Sequence, residues 1–123
     1  DIVFSAEQVA ATVRVQPFEI VLDEAMSFTH PGQPQAFVIC GRQENEGLLD
    51  LRNQIQEGLY EAGLPYNVGG HLTPHMTMLY DRKTVLPEKL DRPVRWMVQE
   101  FLLIHSIYGK SEHRVVNRWP LIG

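Results

Sequence analysis

The stretch Thr73-Pro74-His75-Met76-Thr77-Met78-Leu79-Tyr80 sets an imidazole and a hydroxyl two residues apart. In an extended strand, positions i and i+2 share one face, so His75 and Thr77 stand side by side. An imidazole whose ordinary pKa is about 6.5 can give or take a proton near neutral pH. A threonine hydroxyl beside it can hold a phosphoryl oxygen. The pair therefore suits proton transfer at a phosphate ester. The same alternation predicts that His75 and Thr77 line a concave surface, with Met76 and Met78 buried behind them. The competing reading is a partly buried histidine hydrogen-bonded within a core.

The other histidines are weaker candidates. His71 and Thr73 repeat the spacing, and His71 lies four residues before His75. On a helix that interval would suit two metal ligands, but Gly69, Gly70 and Pro74 argue against a helix. No downstream carboxylate completes a metal set, so no metal and no cofactor is expected. His105 and His113 fall in the C-terminal segment. If Leu102 and Ile104 face inward, Ser106 does too and His105 points to solvent. His113 alternates with Val115, Asn117 and Trp119, as a side chain packed near an edge would. His30 lies in a turn. Arg82 and Lys83 follow the His75 strand and could meet a phosphate, although such residues are more often a solvated strand end. Gly69-Gly70 lacks the strand–loop–helix setting of a phosphate-cradling loop.

These residues need elements to hold them. Residues 5–14 read as a helix with Ser5 as N-cap. Strands are predicted over Phe18–Leu22 and Ala36–Cys40, separated by a turn from Thr29 to Gln35 with two prolines and a glycine. The clearest helix spans Glu46 to Ala62. Leu48, Leu51, Ile55 and Leu59 form its apolar stripe, Asn45 can cap its start, and Gly63 and Pro65 end it. After the His75 strand, a polar connection runs from Asp81 to about Pro93. Trp96 to Leu121 reads as two long strands joined at Gly109-Lys110-Ser111. The layout is α+β, with mainly antiparallel strands and helices on one face.

Composition limits the function. The chain has 123 residues, 44% of them hydrophobic, enough for one compact domain with a core. The formal net charge of -4 argues against non-specific binding to long nucleic acid, which rests on Lys and Arg neutralising phosphates. A small phosphate ester or an RNA end is still compatible with it. Cys40 is the single cysteine, so no intrachain disulfide can form, and its apolar surroundings predict a small core residue. No apolar run approaches the roughly 20 residues of a membrane span. The chain reads as soluble and cytoplasmic.

Pro74-His75-Met76-Thr77-Met78 resembles the second His-x-Thr-x motif of the 2H phosphoesterases. The branch it is most similar to is that of the bacterial RNA 2',3'-cyclic phosphodiesterases, also called 2'-5' RNA ligase-like proteins. A strand pair and a long helix precede the motif, as residues 17–63 do here. Leu103-Ile104-His105-Ser106 and Trp119-Pro120-Leu121 match the family's later "L-x-x-S" and "W-P-L" signatures.

The resemblance implies two α+β lobes, each supplying one His-x-Thr-x strand, and metal-free hydrolysis or transfer at a 2',3'-cyclic phosphate. One histidine removes a proton from the attacking oxygen and the other protonates the departing one. By it, His75 carries a proton-transfer role and Thr77 a phosphate contact, with Tyr80, Arg82 and Ser106 as substrate-binding candidates. Tyr80 has the parity of Met76, so it would share the face of His75 only if the alternation breaks. The partner is expected to be a small or terminal RNA or nucleotide cyclic phosphate, with no membrane and no metal.

The chain departs from the family pattern in one respect. The family's first His-x-Thr-x strand would precede the helix at 5–14. Residues 1–123 therefore read as a single 2H phosphoesterase-like domain lacking its N-terminal segment. A natural, catalytically dead short form would also account for the missing strand, as would a second chain that supplies it. The functional alternative is an inactive nucleotide- or partner-binding module of the same fold. A more distant one is an unrelated α+β interaction domain in which His75 is structural.

Overall fold

The computed structural model describes residues 1–29, 32–65, 72–107, 109 and 112–123. The expectations for His30, for the loop from residue 66 to His71, and for Lys110 and Ser111 fall outside those residues. Two helices and six strands follow in the order α1 (Ile2–Ala11), β1 (Phe18–Phe28), β2 (Gln35–Cys40), α2 (Glu46–Glu61), β3 (His75–Asp81), β4 (Glu88–Val98), β5 (Glu100–Ile107) and β6 (Glu112–Pro120). They divide into two compact units. One comprises Asp1–Phe18, Glu46–Gly70 and Met97–Gly123, and the other Glu19–Asn45 and His71–Trp96.

The first unit holds both helices. Helix α1 begins four residues earlier than the Ser5 cap predicts, because the Asp1 carboxylate accepts from the Val3 amide at 3.0 Å. That satisfies one of the amides a helix start leaves free. The chain leaves α1 in an extended segment, where Val13 and Val15 are buried. Gln54 of α2 clamps this segment: its Oε1 accepts from the Arg14 amide at 2.8 Å, and its Nε2 donates to the Arg14 carbonyl at 2.9 Å.

Helix α2 ends as its sequence requires. Gly63 takes φ +72°, its amide donates to the Tyr60 carbonyl, and the Leu64 amide donates to that of Leu59 at 2.9 Å. This paired closure uses carbonyls left over at the helix end and favours glycine at the left-handed position. Of the predicted stripe, Leu51 is buried and Leu48, Ile55 and Leu59 are half-buried. Leu51 joins Val13, Val15 and Leu121 in a core that also takes Phe18, Ile55, Val98 and Phe101. Each aliphatic side chain fully buried there contributes about 1.5–3 kcal/mol.

Strands β5 and β6 pair antiparallel in the same unit, and the pairing corrects an expected face. Phe101 packs on the core and stacks on Trp119, with ring centroids 5.6 Å apart. Leu102 and Ile104 are instead 40% and 44% exposed. By alternation, Ser106 shares their open face; His105 falls on the side of Phe101 and Leu103 yet is itself exposed, as expected. The reason is the large aromatic at 101: a Phe–Trp pair buries more area than Leu102 and Ile104 could. The pairing also shifts by one residue, since Leu103 faces Asn117 but Ile104 faces Val115. His113 is exposed rather than packed.

The second unit contains strands without a helix, in the order β3-β2-β1-β4. β1 runs on to Phe28, well past the predicted end at Leu22, because its acidic residues find partners. Glu24 is buried and pairs with Arg42, with Lys89 3.7 Å away, and Asp23 pairs with Lys89 at 3.3 Å. β4 occupies much of the stretch expected to be a polar connection, Pro93 included. As the last strand of its sheet it has an unpaired side, where a residue without an amide hydrogen is tolerated. Ser27 ties the approach to β4 onto β1: its amide donates to the Val85 carbonyl at 3.0 Å, and its Oγ accepts from the Val85 amide at 2.7 Å. The architecture is α+β with antiparallel pairing in both sheets.

Candidate functional site

His75 opens β3, at the other margin of the four-stranded sheet. Cross-strand partners lie on the same face. Glu24 faces Cys40 on β2, and Cys40 faces His75, so the three form one row across β1, β2 and β3. Thr77 faces Val38 and shares the side of His75. This is the more buried side of the sheet: Ile20, Leu22, Glu24, Val38 and Cys40 are all covered. At the β3 margin it opens, and every residue of β3 is exposed.

The pairing of β3 with β2 is broken by one residue. Val38 faces Thr77 but Phe37 faces Leu79, leaving Met78 as an extra residue in a bulge. A bulge resets the alternation beyond it. Ala36 therefore faces Tyr80, and Tyr80, 70% exposed, comes onto the face of His75 and Thr77. Parity counted along the sequence would have put it on the opposite side.

Met76 and Met78 do not form the buried backing expected of them. They are 43% and 54% exposed. Among the described residues, the unit that holds β3 has no helix to cover the outer side of this marginal strand.

The imidazole is oriented by its own chain. His75 Nδ1 lies 2.9 Å from the Thr73 carbonyl oxygen, which can only accept. The Nδ1 proton is thereby fixed, and in the neutral ring Nε2 carries the lone pair. The Phe28 ring stands 4.9 Å from the imidazole, tilted by 59°, and gives it an apolar wall. Neither the orienting carbonyl of Thr73 nor the ring of Phe28 was visible from residue types. A backbone carbonyl has no sequence signature, and Phe28 comes from a strand nearly fifty residues away.

Cys40, next to His75 in the row, is fully buried, and burial followed by the nearby Glu24 carboxylate pushes its thiol pKa up from 9.0. It is a packed thiol rather than a nucleophile. Arg82 lies just past β3, where its amide donates to the Asp81 carboxylate at 2.6 Å. Ser106 belongs to the other unit, on the open face of β5. Among the described residues, no three His, Cys, Asp or Glu side chains gather as a metal site would require. Nor is any described helix long and apolar enough to cross a membrane.

Several solved structures share this architecture. A phosphoesterase crystal structure superposes with TM-score 0.74 at 22% identity, over 98% of this chain and 68% of that one. E. coli LigT complexed with 3'-AMP gives 0.73 at 21% identity, over 96% and 67%. TT0787 of Thermus thermophilus gives 0.71 at 23% identity, over 97% and 69%. The chain thus spans about two thirds of the length of these structures, and at such identities the likeness establishes the fold. No curated protein sequence matches significantly. The profile of one sequence family does match, from residue 5 to residue 107, taking in the four-stranded sheet with its His75 strand, α2 and β5. With most of its length in that match and its fold in agreement, this chain belongs to the 2'-5' RNA ligase superfamily.

Proposed function

We propose that the protein acts on RNA-type 2',3'-cyclic phosphates without a metal ion, with His75 transferring a proton and Thr77 holding a phosphate oxygen. The observation that carries this is the single open face on which β3 presents His75, Thr77 and Tyr80. The Thr73 carbonyl leaves Nε2 as the working nitrogen of the neutral ring. In that state it can accept a proton from an attacking hydroxyl; protonated, it can supply one to a departing sugar oxygen. A hydroxyl two residues away fits a phosphoryl oxygen, and Tyr80 offers a ring and a phenol to the rest of the substrate. A nucleotide-type ligand accords with the crystal structures of E. coli LigT complexed with 3'-AMP, NADP+, ATP and phosphate.

Displacement at phosphorus needs an acid and a base on opposite sides, and β3 supplies one of them. The second reading is nucleotide binding without turnover on the same open face, in line with the nucleotide complexes of E. coli LigT. Hydrolysis of a nucleoside 2',3'-cyclic phosphate in EDTA separates the two. It should be followed for this chain and for the protein as its gene encodes it, each with and without His75→Ala. Turnover that falls by about 10²–10⁴-fold in the variant is the expected result for a positioned proton-transfer group. Turnover that persists undiminished in His75→Ala overturns the assignment. Binding without turnover in either form moves the protein to the second reading.

A further inference from the structure

The ring that meets His75 comes from a place in the sheet that the register alone would keep apart from it. Phe28 pairs with Ala36 on β2, whereas His75 pairs with Cys40, four residues further along the same strand. In a flat sheet the two would stand roughly 13 Å apart along the strands and two spacings of about 4.8 Å apart across them. Their ring centroids are nevertheless 4.9 Å apart. The sheet therefore coils so that the side bearing His75, Val38 and Phe28 is concave, as the twist of paired strands permits. Val38 lies on the diagonal between the two rings and is fully buried.

This contact supplies what the strand of His75 lacks. Every residue of β3 is exposed, so a side chain there can turn among its staggered rotamers. The hydrogen bond between Nδ1 and the Thr73 carbonyl, 2.9 Å long, is one restraint on the imidazole. A single bond still lets the ring swing about its own line. The Phe28 ring, tilted by 59°, is a second restraint from another direction. Its distance and tilt lie in the range that favours a ring pair. Phe28 is itself half-buried on β1, an inner strand of the sheet, so it is a firm stop. Two restraints in different directions fix where Nε2 points.

We propose that Phe28 is the positioning residue of His75. It touches no reacting atom; with the Thr73 carbonyl it holds the imidazole in the one orientation from which Nε2 exchanges a proton. The proposal rests on the proton-transfer reading of His75 given above and adds the group that keeps the transfer aligned. Alignment acts steeply in such steps, since a misplacement of about 1 Å can cost on the order of a hundredfold in rate. The ring at position 28 should accordingly act on turnover and leave substrate affinity unchanged.

The test compares Phe28→Leu, which keeps an apolar side chain without a ring, with Phe28→Tyr, which keeps the ring. The protein as its gene encodes it is assayed on a nucleoside 2',3'-cyclic phosphate. In Phe28→Leu, kcat should fall by roughly 10- to 100-fold while KM stays within about twofold. Phe28→Tyr should restore most of kcat. In a His75→Ala background, Phe28→Leu should lower the residual rate no further, because nothing remains to be positioned. In the unaltered protein, the carbon-bound ring protons of His75 should carry a ring-current shift in the NMR spectrum, a readout that needs neither turnover nor a folded variant. Wild-type kcat in Phe28→Leu, an equal loss in Phe28→Tyr, a further loss on top of His75→Ala, or no ring-current shift overturns the positioning role and leaves His75 in place. Turnover undiminished in His75→Ala sinks the reading of His75 itself, and the role of Phe28 with it.

Discussion

Thr77 is the residue whose part can be tested most cleanly. It is exposed on β3 and faces Val38, so replacing it by valine keeps the branched shape that suits a strand and removes the hydroxyl alone. A hydrogen bond to a charged group contributes about 1.5–3 kcal/mol, so Thr77→Val should lower kcat/KM by roughly 10- to 100-fold. Thr77→Ser should restore most of it. Wild-type kinetics in Thr77→Val would remove the phosphate role. His75 differs in that its ring is aimed by the Thr73 carbonyl, a group no side-chain substitution deletes. Its orientation therefore depends on the local course of the chain, and changes at Pro74 should act on rate rather than on ground-state binding.

At the scale of the elements, the row Glu24–Cys40–His75 depends on how closely β2 approaches β1. Gly41, just past β2, is pressed so close that an added Cβ would land on the Val21 carbonyl oxygen. Gly41→Ala should therefore push the strands apart and cost about 1–3 kcal/mol, read as a lower urea midpoint. An unchanged midpoint would show that the strands slide freely there. Much of this scaffold could be read from residue types. The α2 stripe and its Gly63 stop, the Ala36–Cys40 strand, the His75 strand and the terminal strand pair were all legible, since apolar period and turn chemistry specify them. Faces were less so. The bulge at Met78, where β2 and β3 pair across the intervening α2, and the shift near Val116, between consecutive strands, both arise from how whole strands pair, and neither leaves a local mark. The early α1 start and the length of β1 escaped for a related reason: a cap on Asp1 and ion pairs for Asp23 and Glu24 exist only once the partners meet.

For the whole molecule, family membership rests on the order of features along most of the chain, not on His75 alone. The two units put their motifs to different ends. The Trp119-Pro120-Leu121 run closes a core, since Leu121 is buried and its amide donates to the Gln99 carbonyl at 2.8 Å. The His75 strand, by contrast, is left uncovered. Cys40 sits between these extremes, wholly covered and one strand from the open histidine. Its raised thiol pKa means that the folded chain holds this proton more tightly than the unfolded one. The resulting stabilisation is full below the ordinary pKa of 9.0 and fades as pH climbs through the raised value. At pH 8 the native thiol should react with iodoacetamide on the order of a hundredfold or more slowly than in urea. A native rate equal to that in urea would contradict its burial. The lone cysteine thus makes the molecule its own opening gauge. Because no second thiol adds background, labelling counts how often the sheet beneath His75 comes apart, and whether a bound phosphate slows that breathing, without any attached dye.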